Sequence, residues 1–175
     1  TFTPVANFNG IATAVNYTVN DNDGLTSNIA TITVTVTNVN DAPIANNDSI
    51  STTEETSVSL NVTTNDTDVD GTIDVATVDL DPATTGIQTT FTVANEGTYT
   101  VVNLASVTST DVANFNVIAT AVNYTINDND GLTSNIATIT VTVKNVNDAP
   151  IANNDSYTTT EATSVILNVN NKNTK

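Results

Sequence analysis

The chain has 175 residues, of which three are Lys, none is Arg or His and 19 are acidic, giving a net charge of −16 at pH 7. That charge makes nucleic acid and acidic membrane surfaces poor partners. Without Cys the chain has no disulfide, no thiolate nucleophile and no Cys zinc site, and without His it lacks the commonest general base and transition-metal ligand, which excludes most familiar active sites.

Thr, Val and Ile make up 73 residues, and such β-branched side chains favour pleated strands over helices. With 38% hydrophobic residues, 6 Gly and 4 Pro, the chain is too apolar for a disordered acidic tail and is expected to bury a β core. No run approaches eighteen apolar residues, so no membrane span is expected, and no signal peptide is seen. Thr1 opens inside a pattern that returns later: residues 1–62 and 108–169 are identical at 53 of 62 positions. A period of 107 is long for a solenoid or propeller and fits whole sandwich domains strung in tandem.

Asn40-Asp41-Ala42-Pro43 and its copy Asn147-Asp148-Ala149-Pro150 set the phase, because proline ends strand pairing after a long alternating run. Residues 1–42 then read as the C-terminal part of one β-sandwich repeat, 43–149 as a complete repeat and 150–175 as the N-terminal part of the next. Within the complete repeat the predicted strands are 57–62, 72–80, 88–93, 98–102, 121–126 and 136–143. Alternation is clearest where Ile139, Val141 and Val143 interleave with threonines. A first strand, of the kind read at 151–160, brings the total to about seven per period, the number of an all-β, antiparallel two-sheet sandwich. Segment 104–116 is too irregular for a strand prediction.

The acids avoid strand centres and gather as Asp21 with Asp23 (copied as Asp128 with Asp130), Asp41 with Asp48, Glu54 with Glu55, and Asp66 with Asp68 and Asp70. Two carboxylates about 5 Å apart repel by roughly 3 kcal/mol at an effective dielectric of 20, and three lysines cannot neutralise them. Oxygen-only ligands on loops suit Ca²⁺. Each cluster also has a plain structural reading. Asp-Asn-Asp-Gly at 21–24 is a good hairpin turn, Asn40 to Pro43 a plain linker, and Glu54-Glu55 a solvated strand end. The alternating acids at 66–70 lack the closing Glu and flanking helices of an EF-hand.

The run from Tyr124 to Gly131, the alternating strand after it and Asn145-Val146-Asn147-Asp148-Ala149-Pro150 resemble the last two strands and linker of a cadherin repeat. Asn65 to Gly71 resembles its second calcium segment. The closer resemblance is to the bacterial cadherin-like and Ig-like tandem repeats of large calcium-dependent surface adhesins. Phrases like Asn-Asp-Ala-Pro-Ile-Ala-Asn-Asn-Asp and Thr-Pro-Val-Ala-Asn-Phe-Asn-Gly recur in those repeats. The resemblance implies Ca²⁺ between consecutive repeats, with Asn40 and Asp41 joining Asp66, Asp68 and Asp128 at the first junction. At the second, Glu54 would reach toward Asn147 and Asp148. Asp70 and Asp130 complete the set of candidate metal ligands. The linker's leading acid is replaced by Asn38 or Asn145, and no mid-domain acidic pair is found, so fewer ions per junction are expected. Asp111 and Val117 replace the Pro4 and Gly10 of the first copy, which predicts a reshaped loop.

The function expected is mechanical: a calcium-stiffened extender in the stalk of an adhesin on the bacterial cell surface, with neighbouring repeats as partners and no catalysis. A carbohydrate- or protein-binding module is the alternative, but Phe8, Tyr17 and their copies read as core. A filament or sheath subunit is another, with Thr- and Asn-rich edges pairing laterally. A hydrolase built on paired acids has least support, as no Trp or His stands near any pair.

Overall fold

A computed structural model describes residues 1–168. In the first copy of the repeat, β1 (Gly10–Ile11), β2 (Val15–Tyr17), β3 (Ala30–Ile32) and β4 (Thr35–Val36) are short. They are followed by β5 (Asp48–Thr53), β6 (Val58–Asn61), β7 (Ile73–Asp79) and β8 (Thr90–Val93). The last four are β9 (Gly97–Asn103), β10 (Ser106–Asp111), β11 (Val122–Asp128) and β12 (Ala137–Lys144). Among the described residues none is helical, so no helix is long and apolar enough to cross a membrane.

Two four-stranded sheets, ordered β6-β10-β9-β8 and β5-β12-β11-β7, face each other. Their alternating residues close one core: Val62, Val78, Leu80, Tyr99, Val107, Val122, Tyr124, Ile126, Ile139 and Val141 are all essentially inaccessible. β12 shows the cause plainly. Ala137, Ile139, Val141 and Val143 point inward while the threonines between them stay half-buried, the period of two that the sequence announces. Pairing is antiparallel except that β5 lies parallel to β12, with Ile139 opposite Asp48 and Lys144 opposite Thr53. A parallel pair needs a crossover, and the whole of β6 to β11 supplies it.

The complete repeat has eight strands, one more than predicted, because β10 falls inside the irregular segment 104–116. Its inward positions are Val107 and Ser109, and a serine facing the core hides the alternation. The loop after β10 keeps the turn of its copy but differs at one of the two replaced positions, Gly10 against Val117. Phe115 N–H bonds Val112 O at 3.2 Å as Phe8 N–H bonds Val5 O at 3.3 Å, and Asn114 and Asn7 share φ 61°. Only Gly10, at φ 105°, takes a backbone angle that Val117 does not share. Segment 151–160 carries no strand, although its copy forms β5. Residues 169–175, the end of the predicted third unit, lie outside the described residues.

Candidate metal centre at the first linker

Two loops of the sandwich meet beside the linker. In the β11–β12 hairpin, Asp128 Oδ1 accepts the N–H groups of Asp130 (2.9 Å) and Leu132 (2.8 Å), an Asx turn closed by Gly131 at φ 95°. In the β6–β7 loop, Asp68 Oδ1 accepts from Asp70 N (3.1 Å) and Gly71 N (2.9 Å). Asn129 joins the loops, its Oδ1 taking Thr72 N at 2.8 Å and its own N–H reaching Thr72 O at 2.9 Å.

The linker lies across both. Asn38 Nδ2 donates to Asp70 Oδ2 at 2.7 Å, Asp41 N–H to the same carboxylate at 3.2 Å, and Asn40 Nδ2 to Asp128 Oδ2 at 2.6 Å. Asn38 Oδ1 in turn accepts from Asn9 at 3.1 Å, as Asn145 Oδ1 accepts from Asn116 at 3.0 Å in the second copy. Asp128 is only 2% exposed. Burial pushes its carboxyl up, but the Asn40 amide and the N–H groups of Leu132, Asp130 and Gly131 outweigh that and hold it below the usual carboxylate range.

Two buried oxygens at this junction have no hydrogen-bond donor, Asn40 Oδ1 and Asp68 Oδ2. A side chain at Gly71 would fill the space between loops, since a Cβ there would lie 3.0 Å from both Asp68 Oδ2 and Asn129 Oδ1. An all-oxygen set of amides and carboxylates with unsatisfied acceptors suits a hard cation. Among the described residues no group of three acidic side chains is placed to hold a metal ion, and the other oxygens at the junction belong to amides such as Asn40 and Asn129.

The predicted ligands divide into three places. Asn40, Asp41, Asp68, Asp70 and Asp128 meet at the linker; Asp130, exposed, sits at its edge beside Asn129 Nδ2 at 3.4 Å. Asp66 turns inward instead and takes Asn46 N–H at 2.7 Å. At the other end, Glu54 is buried, and its Oε1 accepts Val146 N–H at 2.5 Å, one residue before Asn147; Asn147 and Asp148 themselves are exposed.

Asp66 belongs to a cluster the sequence reading did not assemble. The buried Tyr124 hydroxyl lies within 3.2 Å of Asn46 O, Val62 O, Asp48 Oδ2 and both oxygens of Asp66. One phenolic proton serves one of these acceptors at a time. Burial pushes the Asp48 carboxyl up to about 6, with the Tyr124 and Asn65 hydrogen bonds opposing and Asp66 adding to the rise. Burial likewise raises Asp66 and Tyr124. The sequence signal for this plug was an acid at the start of a strand opposite an inward Tyr, and the period of two places both.

Two sheets packed face to face around one core, with a long crossover between the edge strand β5 and its parallel neighbour β12, define an Ig-like β-sandwich. A family model for the bacterial Ig domain matches residues 40–142, and the chain belongs to that family. No curated protein is a significant match. The assignment agrees with the bacterial Ig-like resemblance carried by the motifs, and domains of this class are structural modules of bacterial surface proteins, generally without catalysis.

Proposed function

We propose that the chain is a calcium-stiffened extender from the stalk of a long bacterial cell-surface adhesin. The observation that carries this reading is the linker itself. Asn38, Asn40 and Asp41 are laid across two acidic loops, and Asn40 Oδ1 and Asp68 Oδ2 are buried there without donors. Ca²⁺ would supply the positive charge that the three lysines do not, held by Asn40, Asp68 and Asp128 with Asp41, Asp70 and Asn129 around them. These residues belong to the linker and to two loops of the sandwich, so binding fixes the angle between successive units. Outside a cell, near-millimolar calcium fills a site of about 10⁻⁴ M and stabilises it by roughly 1.4 kcal/mol. Copying at 53 of 62 positions adds length, on the order of 30 Å per eight-residue strand layer. A cleft of about 520 Å³ between the linker and Val69 has no aromatic side chain among its lining residues, so it offers no platform for a sugar ring.

The test is small-angle scattering with far-ultraviolet circular dichroism on the same samples. Chelator is expected to shorten and broaden the distribution of end-to-end distances while the spectrum stays β-rich, and millimolar Ca²⁺, but not monovalent salt, restores length. Dimensions and melting temperature that ignore calcium up to several millimolar contradict the proposal.

A further inference from the structure

Asn9-Gly10 is the single Asn-Gly step in the chain, and its copy 107 residues on is Asn116-Val117. The two sites share their surroundings. Asn9 Nδ2 donates to Asn38 Oδ1 at 3.1 Å as Asn116 Nδ2 donates to Asn145 Oδ1 at 3.0 Å, and each asparagine follows the same turn, Phe8 N–H to Val5 O and Phe115 N–H to Val112 O. Asn116 and Val117 are exposed even in the complete repeat, where both sheets are built, so exposure belongs to the loop itself; Asn9 and Gly10 are exposed as well. What differs is the residue after the asparagine. Gly10 sits at φ 105° with open space where a Cβ would be, whereas Val117 places a branched side chain beside the same peptide bond.

The backbone nitrogen after an asparagine can attack that asparagine's own amide when the nitrogen is uncrowded and free to leave its hydrogen bond. Gly10 meets both conditions. β1 has two residues, pairs only with β4 and is exposed throughout, so its local opening costs little. The Gly10 nitrogen bonds to Asn9 Cγ, the side-chain nitrogen leaves as ammonia together with the Gly10 proton, and a five-membered imide remains. Solvent water then adds to one of the two imide carbonyls and breaks its bond to nitrogen. Opening on one side gives aspartate; opening on the other gives isoaspartate, with one more methylene in the main chain. Either product carries a new carboxylate at position 9.

We propose that Asn9-Gly10 is a site of spontaneous deamidation, and that the reaction releases one of the bonds holding the linker to the sandwich. Asn9 heads a relay: its Nδ2 donates to Asn38 Oδ1, and Asn38 Nδ2 donates to Asp70 Oδ2 at 2.7 Å. A carboxylate at position 9 only accepts, so it cannot replace the bond to Asn38 Oδ1. Asn38 relieves the opposed oxygens by turning its Nδ2 toward position 9, and it leaves Asp70, which still accepts the Asp41 N–H at 3.2 Å. The reaction needs no enzyme and no cation, and solvent water is its only co-reactant. In the second copy Val117 crowds the attacking nitrogen and withholds the step. The inference does not depend on calcium, and its test is run in chelator so that the two stand or fall separately.

The full-length chain is aged in chelator at mildly alkaline pH and sampled by peptide mapping with mass spectrometry. Asn9 is expected to deamidate at least about tenfold faster than Asn116, giving both aspartate and isoaspartate peptides. Gly10→Val should bring position 9 down to the rate of Asn116, and Val117→Gly should raise Asn116 to the rate of Asn9, a reciprocal exchange that mere disturbance of the fold would not produce. Asn9→Asp, which makes one product directly, is expected to shift the side-chain amide resonances of Asn38, and Asn116→Asp to leave them in place. Equal rates at Asn9 and Asn116, or a rate at Asn9 that Gly10→Val does not lower, overturn the modification site. Asn38 amide resonances that ignore Asn9→Asp overturn the release of the linker.

Discussion

The turns at Asp21–Leu25 and Asp128–Leu132 have the same sequence, Asp-Asn-Asp-Gly-Leu, and the same internal bonds, yet sit in different surroundings. Asp21 Oδ1 takes Asp23 N and Leu25 N at 3.0 and 2.8 Å, nearly the distances found at Asp128. Asp21 is nevertheless exposed, whereas Asp128 is covered by Asn40 and by the loop of Asp68 to Thr72. The turn conformation therefore comes from local chemistry alone, and any ion-binding capacity comes from what the linker and the neighbouring loop bring. Hairpin turn and calcium ligand are thus compatible roles for one motif: both copies make the turn, and only the second meets another set of oxygens.

Matched substitutions in the two copies measure how far their surroundings differ. The largest gap is expected in the core. Ile139→Ala should cost about 2–5 kcal/mol in thermal or denaturant unfolding, and Ile32→Ala in a dilute monomer no more than about 0.5 kcal/mol. Equal losses would mean that the first copy is covered in solution. Next, Tyr124→Phe takes the only O–H from among five acceptors and should cost about 1–3 kcal/mol, while Tyr17→Phe is near neutral.

A smaller effect is set by pH. The Asp48 carboxyl, at about 6 in the folded chain against an ordinary 3.8, makes the folded state bind more protons between those values. Stability in chelator should accordingly rise as pH falls from about 6 toward 4. Asp48→Asn should raise stability at pH 7 by about 1 kcal/mol, the unscreened value being cut by partial exposure, and flatten that slope. Asp128 has the opposite sign: its depressed pKa contributes stability present above 3.8 and lost as pH falls through the folded value. Asp128→Asn should flatten the acid limb, and Asp21→Asn should leave it unchanged; urea midpoints across pH 2–7 read both.

Much of the sandwich was legible because period-two alternation in β11 and β12 needs no tertiary knowledge, and the 107-residue repeat carries their pairing over to β2 and β3. β10 was not, since Ser109 occupies an inward position where a hydrophobe would have marked the strand. Nor was the parallel direction of β5, which depends on a crossover spanning six strands. At the linker, Asn40, Asp41, Asp68, Asp70 and Asp128 were legible as acids and amides at strand ends. Asp66 was misgrouped because it lies within a short acidic run whose members face opposite ways, one toward Tyr124 and the others toward the linker. Gly71 and Asn129 were passed over: their role is close approach, and sequence spacing does not register it.

Whether a cation completes the linker site is read by a calcium titration followed through backbone amide resonances of the whole chain, starting from chelator. Asn40, Asp41, Asp68 to Gly71 and Asp128 to Gly131 are expected to shift together and saturate below about 1 mM. Asp21 to Gly24, the same sequence without its partners, should stay still. If both turns shift alike, or neither moves up to several millimolar Ca²⁺, the linker carboxylates are solvated turn residues and the stiffening mechanism is wrong.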